Sequence, residues 1–225
     1  MVCNLCKKQL IQIKDEEKSI LYSILDKAKC ASLYKLYSHD FEYCPDCLVE
    51  TIPEDKASII KDKSQEIMAI YNDEYLEDID TLKWARIAEC VGYCRELLGD
   101  NKGAVLAYKA STDILDAMIS IYINKNQHTA VENGEDVQIL KEEHFKNCKN
   151  ALIHSKNLKR LTLGHLLKCL DVNDFTLLLI YFDTAIDLEL YKPCEQMSQL
   201  FAKEKHPVKE YQDAIECLLN KFTSL

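Results

Sequence analysis

A chain of 225 residues with 48% apolar content is long enough for one large domain, or for a small module joined to a helical one, and can fill a core without disulfides. Its 28 Lys and Arg stand against 37 Asp and Glu, a net charge of −9 that opposes the long-range attraction needed for nucleic acid or an anionic membrane surface. Five Gly and four Pro are too few breakers for an all-β protein or a low-complexity linker, so composition favours helices.

Residues 1 to 50 have a texture of their own. Met1-Val2-Cys3-Asn4-Leu5-Cys6 runs straight into Lys7-Lys8 without the apolar stretch of a secretory leader. Leu10 to Lys14 partly alternates apolar and polar residues and Leu33 to Tyr43 is rich in Tyr, which predicts short strands beside one helix near Ser19 to Cys30. Such a segment buries too little apolar surface to hold itself together, a problem that a bound metal would solve.

From Thr51 onward the pattern is helical. Thr51-Ile52-Pro53-Glu54 has the form of a capping box, after which Ala57, Ile60, Ile67, Met68 and Tyr71 share one face. A helix over about Thr81 to Leu98 presents Trp84, Ile87, Ala88, Val91, Cys94 and Leu98 at spacings of three and four, and Gly99 ends it. A further helix follows Gly99-Asp100-Asn101, with Ala104, Ala107, Tyr108, Ser111, Leu115, Met118 and Tyr122 on one stripe. So short a connection makes the two helices an antiparallel hairpin. Asn124 to Asp136 lacks apolar periodicity and is expected to be the longest exposed loop. Helices are then expected over about Val137 to Ser155, Leu158 to Leu170, Asp174 to Leu190, Cys194 to Lys203 and Val208 to Phe222, with Pro193 and Pro207 where a first turn tolerates them. The expected fold class is mostly α, an array of antiparallel hairpins behind a small N-terminal module. The longest apolar run, Phe175 to Phe182 interrupted by Thr176, falls far short of the roughly 20 residues a membrane span needs.

The sharpest motif is Cys3-x-x-Cys6 followed by Cys44-Pro45-Asp46-Cys47. Two thiolates separated by two residues can reach one tetrahedral ion from a tight turn, and two such turns supply the four sulfurs of a structural zinc site. His39 or Cys30 could replace one ligand. Two rival chemistries use the same sulfurs: a thioredoxin-like redox pair at Cys44 and Cys47, which lacks the usual βαβ setting, and an iron–sulfur cluster. The other seven of the eleven cysteines are scattered or at helical spacing, so they do not form a disulfide framework, and a reducing cytoplasm is the expected compartment. Cys90 and Cys94 are one helical turn apart and fill space as small apolar residues, while His144 and Cys148 make a poor metal site without further ligands.

No Gly-rich phosphate loop, Gly-x-Ser-x-Gly elbow or His-Glu-x-x-His helix occurs, so no catalytic residue is assigned. The predicted hairpin has the wording of a degenerate tetratricopeptide unit: Gly92 in its first helix, then Ala104, Tyr108 and Ser111 at the spacing of small and aromatic positions. Gly164 with Leu178, Phe182 and Ala185 suggests a second unit. The paired Cys-x-x-Cys motifs ahead of Trp84-Ala85-Arg86-Ile87-Ala88 and of Tyr93-Cys94-Arg95-Glu96-Leu97-Leu98-Gly99-Asp100 resemble a bacterial family known as domain of unknown function 2225, over roughly residues 3 to 123. The resemblance implies a zinc-ribbon-like head followed by tetratricopeptide-like helices, with Cys3, Cys6, Cys44 and Cys47 as ligands to Zn2+; the change of texture at Thr51 sets the expected division at 1–50 and 51–225. The family commonly places Gly after the second pair, where Leu48 stands here.

Stacked antiparallel helices offer a concave face for a partner's peptide or helix, so a protein-binding scaffold is the expected role. The alternatives are an enzyme, a thiol oxidoreductase or hydrolase whose site assembles only in three dimensions, and nucleic-acid binding through Lys7, Lys8, Lys14, Lys27, Lys29 and Lys35 of the head, which Asp15, Glu16, Glu17 and Asp26 oppose.

Overall fold

The computed structural model describes residues 1–12, 14–16, 42–47, 52–70, 79–133, 148–171 and 174–190, with Lys192, Glu195, Glu216 and Asn220 as single helical positions. Two short strands, β1 (Ile11–Gln12) and β2 (Glu42–Tyr43), pair antiparallel with Ile11 opposite Tyr43. A 3-10 turn at Glu54–Lys56 leads into α1 (Ala57–Ile70), followed by α2 (Ile79–Leu97), α3 (Asn101–Asn133), α4 (Lys149–Cys169) and α5 (Phe175–Asp187). The described residues are mostly helical with little sheet. The helix expected at Ser19 to Cys30 and those expected at Cys194 to Lys203 and Val208 to Phe222 lie outside the described stretches, as does Thr51 of the expected capping box. Pro53 precedes the 3-10 turn without a side-chain cap.

The α2/α3 hairpin is the centre of the molecule. Gly99 has φ 77°, the left-handed conformation that glycine adopts without steric cost. With it the N–H of Asp100 donates to Arg95 C=O at 2.9 Å and that of Gly99 to Glu96 C=O at 3.0 Å, closing α2 in a Schellman turn. Asp100 then caps α3 by accepting from the Gly103 N–H at 2.9 Å. Leu98, expected on the apolar stripe, is 49% exposed in this turn, because the stripe ends where the helical backbone does. The hairpin closes tightly at Gly92, where a Cβ would stand 2.7 Å from the Tyr108 ring. No such approach exists at Gly164, where a Cβ would meet nothing within 4 Å, so the second unit lacks the packing device of the first.

Two expectations are corrected. Residues 124–133 are not loop, since α3 runs on as one helix through Asn133. Continuing an existing helix adds one hydrogen bond per residue fixed, which needs no apolar face. Likewise α4 passes without a break through Ser155 and Leu158, where two separate helices were expected.

α3 divides the core. Towards α1 and α2 it presents Ala107, Ala110, Ile114, Leu115 and Met118, which pack with Ile60, Ile67, Trp84, Ile87 and Val91. Towards α4 and α5 it presents Val105 and Leu106, which pack with Leu166, Leu177 and Ile180. α5 starts at Asp174, whose side chain accepts from the N–H groups of Thr176 and Leu177, and its residues 176–180 and 182–186 are buried.

Buried apolar contacts are joined by buried charge. Lys109, only 3% exposed at its side chain, forms ion pairs with Asp113 one turn ahead on α3 and, at 2.7 Å, with Asp183 of α5. Lys159 of α4 bridges Asp116 of α3 at 2.5 Å and Asp187 of α5 at 2.9 Å, and Ser155 donates to Asp116 at 2.6 Å. Burial is the largest single influence on Lys109 and lowers its pKa, but Asp113, Asp183 and Asp187 together outweigh it and hold the pKa above the usual lysine range.

Two outcomes test this packing. Gly92→Ala should lose about 1–3 kcal/mol by forcing Tyr108 aside, measured by chemical denaturation. Lys109→Ala should lose about 3–5 kcal/mol, because it strands buried carboxylates. Since the folded-state pKa of Lys109 is raised, its contribution is fully present below the unfolded lysine pKa of about 10.4 and is lost as pH rises beyond it. The wild-type melting temperature should therefore fall in strong alkali more steeply than that of the variant.

Candidate metal centre

The first two cysteines sit on a tight turn. Cys3 N–H donates to Lys8 C=O at 2.8 Å and Lys7 N–H to Cys3 C=O at 2.9 Å, while Lys7 takes φ 63°. The chain then turns back so that Val2 bridges Gln9, and β1 carries on to pair with β2. That pairing delivers Cys44, the residue after β2, to the first turn.

All four sulfurs, of Cys3, Cys6, Cys44 and Cys47, lie within 4.8 Å of one another, and Cys6 Sγ and Cys44 Sγ are 3.4 Å apart. Four thiolates at about 2.3 Å from one tetrahedral ion would stand about 3.8 Å from each other, so the donor set fits a single metal ion. Cys3 and Cys44 are buried; Cys6 and Cys47 are half-buried. The expected substitutes His39 and Cys30 lie outside the described residues.

Backbone N–H groups are aimed at the sulfurs. The Lys8 amide is the main cause that lowers the Cys6 pKa, and the Cys47 N–H lies 3.4 Å from Cys44 Sγ. Such donors stabilise thiolate sulfur and fix its orientation. Burial acts the other way and pushes Cys44 up to about 11, partly offset by the amides of Cys47 and Asp46. Cys47 is raised well above the usual thiol range, first by burial and then by the neighbouring Cys6. Burial thus favours the protonated thiol at Cys44 and Cys47 when no metal is bound.

The two turns are tied together and anchored to the helices. Lys8 forms an ion pair with Asp46 inside the second motif, and Asn4 donates to Ile52 C=O. Tyr43 meets Trp84 of α2 edge to face, with ring centroids 5.6 Å apart at 74°. Trp84 is 6% exposed, a packing residue on the stripe shared with Ile87 and Val91.

The other cysteine pairs stay apart from this chemistry. Cys90 and Cys94 are buried in α2, and burial raises the Cys90 pKa. Cys148 is buried at the start of α4, and His144 lies outside the described residues.

One constellation had no motif to announce it. A cavity of about 300 Å³ opens between α1, α2 and α4. On its wall His154 Nε2 is 2.8 Å from Glu89, and the Tyr108 hydroxyl donates to Glu96 at 2.7 Å. His165 stands behind them, 3.4 Å from Glu96 and 2.9 Å from Asn101 Oδ1. The available signal was weak: Glu89 and Glu96 share a face of α2, and His154 and His165 share a face of α4, at separations that any solvated helix also produces.

Comparison with protein-family models, with curated proteins and with solved structures gives no match. No helix among the described residues is long and apolar enough to cross a membrane.

Because Cys44 and Cys47 hold their protons in the metal-free protein, loading a divalent ion at neutral pH should release about two or more protons per ion, and affinity should fall as pH is lowered. Calorimetry in buffers of different ionisation enthalpy measures this. Release of none would show that the thiols are already ionised.

Proposed function

We propose that the chain is a zinc-holding helical scaffold of the cytoplasm that engages a protein or peptide partner. The observation that carries the metal half is the approach of four sulfurs to within 4.8 Å. Zinc suits a closed, all-thiolate, tetrahedral site, in which it acts structurally and leaves no open position for substrate. A multi-iron cluster would attach the sulfurs to different iron atoms and spread them further. A thioredoxin-like pair at Cys44 and Cys47 would leave Cys3 and Cys6, which belong to the same group, without a role.

The scaffold half rests on a ribbon-like head at residues 1–50 and a tetratricopeptide-like body at 51–225, an order of parts that membership in the domain-of-unknown-function 2225 family would also carry. The tight Gly92–Tyr108 closure of the hairpin supports such a body. Nucleic-acid binding is weakened by the pairing of Lys8 with Asp46. A second reading, a proton-transfer enzyme, draws on the Glu89–His154 pair in the cavity. Among the described lining residues there is no Ser, Thr or Cys to serve as a nucleophile beside it.

Protein purified anaerobically without added metal should contain about one zinc per chain, because structural zinc contributes an apparent 10–16 kcal/mol or so. Elemental analysis finding under about a tenth of an equivalent would sink the reading. Chelation should unfold the head and spare most of the helical circular dichroism, since α2 to α5 cover one another. Loss of most of that signal would show head and body to be one cooperative unit.

A further inference from the structure

The cavity between α1, α2 and α4 has a lining that selects for charge. Glu89 and Glu96 are seven residues apart on α2, two turns or about 10 Å along one face, with Tyr93 between them. Glu89 lies deep, its side chain 5% exposed, whereas Glu96 is 33% exposed at the mouth. Both are held in place: Glu89 by His154, and Glu96 by the Tyr108 hydroxyl and His165. The two contacts to Glu96 both engage Oε2, so its Oε1 keeps its capacity to accept among the described residues. Ile67, Leu158 and Leu161 supply the apolar part of the lining.

The protein already shows what this lining attracts. The ammonium of Lys63 lies 6.0 Å from the centre of the Tyr93 ring, within cation–π range. Lys63 lines the cavity itself and is also paired with Glu66 at 2.9 Å. An incoming cation that displaces it from Tyr93 meets the aromatic face and the two carboxylates of the lining. A volume of about 300 Å³ is at the lower end for a small-molecule site, and suits one long side chain with an apolar stem and a charged tip. The net charge of −9 draws basic partners towards the surface that contains it.

We propose that this cavity receives the cationic end of an arginine or lysine side chain from a partner protein, an inference that rests on the scaffold reading above. The methylenes lie against Ile67, Leu158 and Leu161, the tip reaches Glu89, and Glu96 accepts at the mouth. An acidic or phosphorylated segment is excluded by the same two carboxylates.

The test is a titration of the full-length, metal-loaded protein, followed by amide NMR, with four blocked tripeptides: acetyl-Gly-Arg-Gly-amide and its lysine, citrulline and glutamate counterparts. The arginine and lysine peptides should shift amides within 63–67, 89–96 and 154–161. Citrulline, which keeps the shape and loses the charge, should bind about tenfold more weakly, the cost of one charge-assisted hydrogen bond. Glu96→Gln should weaken arginine binding by about the same factor. Lys63→Gln should strengthen it by about threefold, because it removes the internal competitor at Tyr93. Melting curves establish that each variant is folded, and if Glu96→Gln is not, the exposed Lys63→Gln decides. Equal binding of citrulline, a preference for the glutamate peptide, shifts confined to other residues, or no binding of any peptide each overturns the proposal. A pull-down partner that binds wild type and Glu96→Gln equally leaves the scaffold standing and removes the cavity from it. Arginine peptides that shift the cavity amides in a protein that captures no partner remove the scaffold reading instead.

Discussion

Between Leu82 and Cys94 and between Gly103 and Leu115 the α2/α3 hairpin is buried on nearly every side although it carries charged residues, and the arrangement of the other helices follows from that constraint. A charge taken out of water must be met by another charge or by hydrogen bonds, or it costs several kcal/mol or so. Glu89 is met by His154 of α4, Lys109 by Asp183 of α5, and Asp116 by Lys159 of α4. Each pair joins two helices at one register. Apolar packing through Val105, Leu106, Leu166, Leu177 and Ile180 tolerates small sliding movements, whereas these pairs do not, so they specify where α4 and α5 sit. Lys102, bonded to the capping Asp174, ties the start of α5 to the start of α3 in the same way.

The candidate metal centre obeys a related constraint in a smaller volume. Four polarizable thiols meet between two turns that would otherwise have little to hold them, with amide N–H groups of the same turns directed at the sulfur. The head also borrows core from the body: Cys3, Leu10, Tyr43 and Cys44 belong to the apolar cluster that contains Trp84, Ile87 and Val91. The Tyr43–Trp84 contact is thus where the segment that carries the four cysteines packs on the helices.

What could be read from the chain was whatever has a short period or a fixed spacing. The two Cys-x-x-Cys pairs and the turn at Gly99 belong to this kind: the structure brings the four cysteines together and gives Gly99 φ 77° at the end of α2. The end of α3 was illegible because helix propagation asks for no apolar face, so Asn124 to Asn133 reads as loop in composition and is helix in space. The buried charges were illegible for the opposite reason. A Lys109–Asp113 or Asp183–Asp187 pair at helical spacing also marks a solvated face, and only the meeting of three helices distinguishes the two. The cavity was hidden on the same grounds, since Glu89 and His154 are 65 positions apart and no local pattern links them.

Tyr108 gives the cavity a mechanical character. Its ring fills the space that Gly92 leaves open, lies beside the His165 ring at a tilt of 32° with centroids 6.0 Å apart, and its hydroxyl holds Glu96. The ring cannot swing towards an incoming group without opening a void in the middle of the hairpin. The wall of the cavity is therefore as stiff as the core behind it, and whatever enters meets a surface already in its bound shape, so little of the binding energy is spent on ordering the host.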